Sequence, residues 1–207
     1  MGFWDAIRGQ TRPKAARLDA LFAVPSAAMS LEAGLGLQPT GVGSVCFRAA
    51  EGNAGTLTQA DAAALVSVDG GPRTTSRVDE YGYTWLTVHA GPADAVGLPA
   101  TTGGGGPSAA PVDTAGLVTS LHAVNSALEA QGFGPGLLCS TVGFVDAGGA
   151  RSFLVYLYKQ GTFYPFCPTG PTSRDPMRER VLRDTVAGDL PIEPDTGRWM
   201  PLWGLPD

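Results

Sequence analysis

The stretch from residue 137 to residue 166, LLCSTVGFVDAGGARSFLVYLYKQGTFYPF, decides the fold. It contains three runs rich in β-branched and aromatic residues, at 137–145, 153–159 and 162–166. Asp-Ala-Gly-Gly at 146–149 and Gln-Gly at 160–161 separate these runs, and such residues form tight turns between antiparallel strands. The pattern predicts a three-stranded antiparallel meander. The middle run is apolar on both faces, which predicts a strand in the centre of the sheet.

Helical and strand patterns surround this meander. Asp113 and Gly132 bracket apolar residues at helical spacing, which predicts the best-defined helix of the chain. Residues 18–36 are predicted to form either one helix kinked at Pro25 or two short helices, and further helices are predicted at 58–66 and 174–186. Further strands are predicted at 42–47, 74–78 and 83–89, the last two joined by a hairpin turn. These patterns together indicate an α+β fold in which helices flank a twisted antiparallel sheet.

The composition indicates one folded unit. A length of 207 residues with 43% hydrophobic residues is enough for one sizeable core, so we expect a single α+β domain over residues 1–207. Residues 91–111 contain four prolines and the run Gly103 to Gly106, which predicts a flexible surface loop within that domain. Residues 190–207 combine four prolines with Trp199 and Trp203, which predicts an extended strap packed across the body.

The charge and cysteine content exclude several classes of protein. With 19 acidic and 14 basic residues the net charge is −5, which leaves no overall electrostatic footprint for nucleic acid. The three cysteines form no CxxC pair, so neither a disulfide framework nor a metal site is indicated. The sequence shows neither a signal peptide nor an uninterrupted apolar stretch of spanning length. We therefore expect a cytoplasmic protein without metal or cofactor.

No catalytic motif stands out in the sequence. The glycine run 103–106 lacks the lysine and the hydroxyl residue that follow the last glycine of a phosphate-binding P-loop. The enzymatic alternative is a thiol-dependent hydrolase, with Cys139 as nucleophile and His122 as its base. Because Cys139 lies in an apolar run and His122 beside an apolar helix face, structural roles are the commoner outcome for both. We therefore favour a binding protein that is not an enzyme.

The two ends of the chain carry the candidate contact residues. An N-terminal arm has apolar residues that can share one side of a helical turn, with basic residues beside them. This arm either contacts anionic lipid or an acidic protein surface, or packs on the protein's own core. Contact with lipid would associate the protein with the membrane. The candidate residues for partner or membrane contact are Phe3, Trp4, Ile7, Arg8, Arg12, Trp199 and Trp203.

Several stretches, taken together, resemble one known family. They are MGFWDAIRG at 1–9, LDALFAVPSAA at 18–28, PTGVGSVCFRAAEG at 39–52, YGYTWLTV at 81–88, LHAVNSALEAQGFGPGLLCSTVGF at 121–144, LVYLYKQGTFYPF at 154–166 and LPIEPDTGRWMPLWG at 190–204. The family is the actinobacterial PspA-associated protein PspAB. The resemblance spans nearly the whole chain and is weakest at 91–111, where the glycine run looks like a local insertion.

The resemblance implies a place in the phage-shock, envelope-stress system. It implies a partner in that system, either PspA, a coiled-coil protein of the membrane surface, or an HtpX-type membrane protease. It supplies no catalytic residues. The order of elements also resembles type III secretion chaperones and YbjN-like proteins, in which helices flank a twisted antiparallel sheet. We therefore expect an adaptor that binds a protein partner, with a thiol-dependent enzyme and a peripheral membrane-binding protein as alternatives.

Overall fold

The computed structural model describes residues 18–48, 74–90 and 112–205 of the chain. The predicted helix at 58–66, the predicted loop at 91–111 and the N-terminal arm lie outside these described residues. Within them the fold is α+β, an antiparallel sheet of six strands flanked by three helices. The α+β fold predicted from the sequence is confirmed.

The helices begin and end at the residues that the sequence marks. A 3₁₀ turn at Leu18–Ala23 leads into α1 (Val24–Leu35), which has Pro25 in its first turn and ends at Gly36 with φ of 66°. The kink predicted at Pro25 is this change from 3₁₀ to α-helix. Helix α2 (Thr114–Ala130) begins at Asp113, whose side chain accepts a hydrogen bond from the N–H of Gly116. Helix α3 (Pro176–Val186) follows Asp175, which caps it in the same way.

The strands form one sheet and a small ribbon. The strands of the sheet are β1 (Gln38–Phe47), β2 (Thr74–Val78), β3 (Thr84–His89), β4 (Leu137–Val145), β5 (Arg151–Leu157) and β6 (Thr162–Phe166), in the order β2-β3-β1-β4-β5-β6. The ribbon pairs β7 (Pro168–Gly170) with β8 (Ser173–Arg174). Every pair of neighbours is antiparallel, and the predicted meander of β4, β5 and β6 is confirmed.

The structure corrects two details of the strand prediction. Strand β1 begins at Gln38 rather than at residue 42, because the irregular register between Pro39 and Gly43 accommodates both the proline and the positive φ of Gly41. Strand β5 is not central, because β1 and β4 occupy the middle of the sheet and β6 alone lies beyond β5. Its residues are nevertheless buried on both faces, since each face of the sheet carries its own hydrophobic cluster.

The helices cover one face of the sheet, here called the helix face. On it Leu121 of α2 lies so close to Gly43 that a Cβ at this glycine would stand 2.8 Å from the leucine side chain. Buried Asn125 of α2 donates a hydrogen bond to Ser140 of β4 at 2.9 Å. The opposite face, here called the strap face, carries a second cluster that includes Trp85, Val155 and Tyr164.

One segment of the described residues, Leu18–Leu35, is apolar and long enough to cross a membrane, which is weak evidence by itself. In this fold Leu21, Val24 and Leu31 are fully buried and belong to the main core cluster. Helix α1 contacts α2, α3 and β1. About a third of the segment is buried, so one side of it packs against the core.

Candidate binding site between the sheet and the strap

Residues 190–205, called the strap from here on, run along β6 and then across the strap face of the sheet. The N–H of Phe163 donates a hydrogen bond to the carbonyl of Pro191, and the N–H of Glu193 donates one to the carbonyl of Phe163, both at 2.8 Å. The Oγ1 of Thr162 donates to the buried carboxylate of Glu193 at 2.7 Å. The strap is thus paired to the edge strand by backbone and side chain together.

Trp199 fixes the middle of the strap. Its ring stacks on Tyr164 of β6, with ring centroids 6.0 Å apart, and its indole N–H donates to the carbonyl of Glu193 at 3.0 Å. The hydroxyl of Tyr164 donates to the carbonyl of Met200 at 2.8 Å. Arg174 donates to the carbonyl of Trp199 at 2.7 Å and to the carboxylate of buried Glu179. The strap is therefore tied to β6, β8 and α3.

The last part of the strap crosses towards the far edge of the sheet. The ring of Trp203 meets that of Phe166 edge to face, with centroids 5.6 Å apart. Beyond it, the guanidinium of Arg77 on β2 donates a hydrogen bond to the carbonyl of Gly204. Since β6 and β2 are the two edge strands, the strap spans the whole sheet.

Between the strap and the hairpin of β2 and β3 lies an open cavity of about 490 Å³, called the strap cavity from here on. Such a volume is typical of sites that hold a small ligand or a few side chains, which run from about 300 to about 1,000 Å³. Its floor is the sheet and its walls are the hairpin turn, the turn between β5 and β6, and the strap. The residues that line it are mainly apolar and aromatic: Cys46, Asp79, Tyr81, Tyr83, Trp85, Leu138, Cys139, Leu157, Lys159, Gln160, Tyr164, Met200, Pro201, Leu202 and Trp203.

Asp79 builds the hairpin wall of the strap cavity. Its carboxylate accepts hydrogen bonds from the backbone N–H groups of Tyr81 and Tyr83 and from the indole N–H of Trp85, each at 2.9 Å. Gly82 completes the turn with φ of 78°, a conformation that glycine adopts without strain. The neighbouring carboxylates of Asp79 and Glu80 therefore have different roles. Asp79 accepts hydrogen bonds within the hairpin, whereas Glu80 is exposed to solvent.

Two thiols lie side by side in the floor of the strap cavity. Cys46 on β1 and Cys139 on β4 are directly opposite each other in the antiparallel register, and both are buried and free. A hydrogen bond with Cys139, together with burial, raises the pKa of the Cys46 thiol far above its usual range. Cys46 therefore keeps its proton at neutral pH.

The structure describes two of the predicted contact residues. Trp199 is 8% exposed and serves the packing of the strap, whereas Trp203 is partly exposed and lines the strap cavity. Phe3, Trp4, Ile7, Arg8 and Arg12 lie outside the described residues, so their contact with a partner or membrane stays a prediction.

The residues of the enzymatic alternative are not brought together. Cys139 faces the strap, and His122 lies on α2 over the helix face, where its ring contacts Phe22 with centroids 5.0 Å apart. The sheet separates the two side chains. Within residues 18–48, 74–90 and 112–205, no three His, Cys, Asp or Glu side chains are grouped as metal ligands.

The sequence reasoning missed most of the strap cavity. Its signal was present as Tyr-Gly-Tyr-Thr-Trp at 81–85, an aromatic hairpin that follows an acidic pair. Aromatic residues at every second position mark one face of an extended segment, but they do not show that a C-terminal segment stands opposite that face. The pairing of Cys46 with Cys139 depends in addition on the order and register of the strands.

Comparison with known proteins gives one result. The family model described as PspAB, PspA associated protein B, matches residues 1–101 and 108–207. Residues 102–107, between the two matched segments, include the glycine run that the sequence marked as an insertion. No curated protein and no solved structure matches the chain.

Proposed function

Because the chain belongs to the PspA associated protein B family, we propose that it is a non-catalytic adaptor that binds PspA through the strap cavity. The observation that carries the proposal is the cavity itself, an open apolar space of about 490 Å³ whose walls are held in place by the hydrogen bonds of Asp79 and Tyr164. The family description names an association with PspA, and the proposal assigns that association to a surface.

The chemistry of the lining favours apolar or aromatic side chains as the occupant. The carboxylate of Asp79 already accepts three hydrogen bonds, and the hydroxyl of Tyr164 is used by the carbonyl of Met200. Apart from Lys159 and Gln160 in the turn between β5 and β6, the rest of the lining consists mainly of aromatic rings, aliphatic side chains and thiols. Burying an apolar side chain there contributes about 1.5–3 kcal/mol.

The rim of the strap cavity has the character of a protein contact surface. Tyr81 is 55% exposed on the hairpin wall and Met200 is 58% exposed on the strap wall. Tyrosine and methionine are enriched at protein interfaces, where tyrosine supplies rigid apolar area and methionine adapts its shape to the partner. Tyr81 and Met200 line different walls of the cavity, so both are available to a partner that covers it.

Two exposed methionines provide a matched test. Met200 lines the strap cavity, while Met177, 65% exposed, lies in the first turn of α3 and does not line it. Each is changed to lysine, which places a charge on the surface without removing buried volume. The affinity of each purified variant for purified PspA is then measured by isothermal titration calorimetry.

We expect Met200→Lys to weaken PspA binding at least about tenfold, which corresponds to about 1.4 kcal/mol. We expect Met177→Lys to bind as tightly as the unchanged protein. If both variants weaken PspA binding equally, or if neither weakens it, PspA binds another surface of the protein. Absence of any binding between the purified proteins overturns the proposal of a direct adaptor.

A further inference from the structure

The two thiols in the floor of the strap cavity have the geometry of a disulfide pair. Directly opposed residues of antiparallel strands have Cα atoms about 4.5–5.5 Å apart, and disulfides join Cα atoms about 4.4–6.8 Å apart. Cys46 and Cys139 are such opposed residues on the two central strands. The register is regular from Gly43 to Cys46 and becomes irregular between Cys46 and Phe47, so the two cysteines stay opposed. Joining their sulfur atoms requires side-chain rotation and no change of strand pairing.

The thiols are also reachable. Both line the strap cavity, which is open to solvent and large enough for a small organic molecule. The third cysteine, Cys167, is different: it packs in the core cluster of the helix face, contacts the hydroxyl of Ser152 at 3.5 Å and does not line the cavity. Burial raises the pKa of Cys167 to about 11.

We propose that Cys46 and Cys139 are a redox-active dithiol that a small neutral disulfide, entering through the strap cavity, oxidises to a disulfide bond between β1 and β4. The apolar lining of the cavity favours an uncharged reagent over a charged one. The inference concerns these two thiols alone and does not depend on PspA binding.

The reaction is thiol–disulfide exchange in two steps. Both thiols line the cavity, and the scheme is the same whichever of them attacks first. One thiol loses its proton, and its thiolate attacks one sulfur of the reagent, forms a mixed disulfide and displaces a small thiolate, which takes up a proton. The other thiol then loses its proton and attacks the protein sulfur of the mixed disulfide, which releases the second small thiolate, and this also takes up a proton. The protein pair loses two electrons and two protons, and the reagent gains them as two small thiols.

The test uses bis(2-hydroxyethyl) disulfide on the whole folded chain at mildly alkaline pH, where thiolates form more readily. After removal of the reagent the protein is unfolded, its remaining thiols are alkylated, and the intact mass and non-reduced peptides are measured by mass spectrometry. We expect one alkylated cysteine, Cys167, and a peptide in which Cys46 is linked to Cys139. Three alkylated cysteines, or a disulfide that contains Cys167, would overturn the proposal.

Single variants test whether the two thiols act as a pair. Cys46→Ser and Cys139→Ser are each expected to stop at a mixed disulfide on the remaining cysteine of the pair, because the second thiol is missing. Cys167→Ser is the control and is expected to form the same link between Cys46 and Cys139. A variant of the pair that instead forms a disulfide with Cys167 contradicts the pairing, and if a variant fails to fold, the experiment on the unchanged chain still decides the main proposal.

Discussion

The carboxylate of Asp79 organises a whole wall of the strap cavity. Its bonds to the N–H groups of Tyr81 and Tyr83 are local, since aspartate commonly bonds the backbone a few residues downstream in a turn. Its bond to Trp85 is of another kind, because it fixes the direction of a buried indole in the floor of the cavity. The same side chain therefore forms the turn and positions a ring of the site.

Removal of this carboxylate is expected to destabilise the fold. In Asp79→Ala the indole N–H of Trp85 loses its acceptor in a buried place, and such a loss costs about 1–3 kcal/mol. The neighbouring change Glu80→Ala is the control, and it is expected to alter stability by less than about 0.5 kcal/mol because Glu80 is exposed. Urea unfolding measures both, with the midpoint falling and the slope unchanged for Asp79→Ala. If the two variants unfold at the same urea concentration, the hydrogen bonds of Asp79 contribute no more to stability than the exposed Glu80 does.

The sequence alone supports only part of this description. The turn at 79–82 follows from aspartate and glycine at the right spacing, and it was predicted as a hairpin. The bond to Trp85 was not predicted, because it requires the indole to fold back over the turn. The charge of Glu80, followed by their hydrogen bond, raises the pKa of the exposed Tyr81.

At the scale of elements, a carboxylate joins two helices that are far apart in the sequence. Asp189, just beyond α3, accepts hydrogen bonds from the hydroxyls of Ser26 at 2.6 Å and Ser30 at 2.7 Å, one turn apart on α1. These bonds, that of Ser26 first, lower the pKa of Asp189 below its ordinary value. The folded state thus prefers the ionised carboxylate.

This preference predicts an acid-dependent contribution to stability. A carboxyl whose pKa is lower in the folded state stabilises the fold above the pKa of the unfolded chain, which is about 3.9 for aspartate. That contribution is lost as the pH falls through the lower folded pKa. The difference in unfolding free energy between the unchanged protein and Asp189→Asn is therefore expected to shrink as the pH is lowered from about 6 to below that range.

The measurement is urea unfolding at a series of pH values. Asp184→Asn serves as the control, because Asp184 is exposed on α3 and pairs with the neighbouring Arg183 in a surface ion pair. Its effect is expected to be small at every pH. A constant difference between the unchanged protein and Asp189→Asn across the series contradicts the role given to the serine hydroxyls.

The elements themselves were largely predictable, and the exceptions have physical reasons. The start of α2 at Asp113 and the left-handed Gly36 and Gly132 at helix ends follow from local capping rules. The early start of β1 does not, because Pro39 and Gly41 are residues that normally end a strand. They are tolerated here because the register is irregular at this point and their neighbours in β4 and β3 still complete the sheet.

At the scale of the molecule, the decisive feature is that both faces of one sheet are covered by different parts of the chain. The apolar pattern of β5 predicts burial on both faces, and that burial is observed. The burial does not come from a central position of β5 in the sheet. The true cause is the strap on one side and the helices on the other. The order and register of the strands depend on residues far apart in the sequence. Local sequence patterns therefore do not predict that Cys46 and Cys139 lie opposite each other.

The strap should therefore be indispensable to the fold rather than an appendage. A chain that ends at Pro191 lacks the stacking of Trp199 on Tyr164, the acceptor Glu193 and the cover over Phe166. Loss of the buried Trp199 side chain alone costs about 3–5 kcal/mol by analogy with large-to-small core substitutions. Typical domains are stable by only about 5–15 kcal/mol, so this truncation is expected to abolish most of the cooperative unfolding transition.

A chain that ends at Gly204 is the matched control, because it retains every strap contact described here, including the bond from Arg77 to the carbonyl at 204. Thermal unfolding by circular dichroism and binding of an apolar fluorescent dye distinguish the two chains. The shorter chain is expected to bind the dye, because the cluster of Trp85, Val155 and Tyr164 becomes exposed, and the control is expected to melt like the full chain. If the chain ending at Pro191 melts as sharply and as high as the control, the helix face alone maintains the fold. The strap would then be a removable lid, and the cavity it borders would be a site that opens and closes.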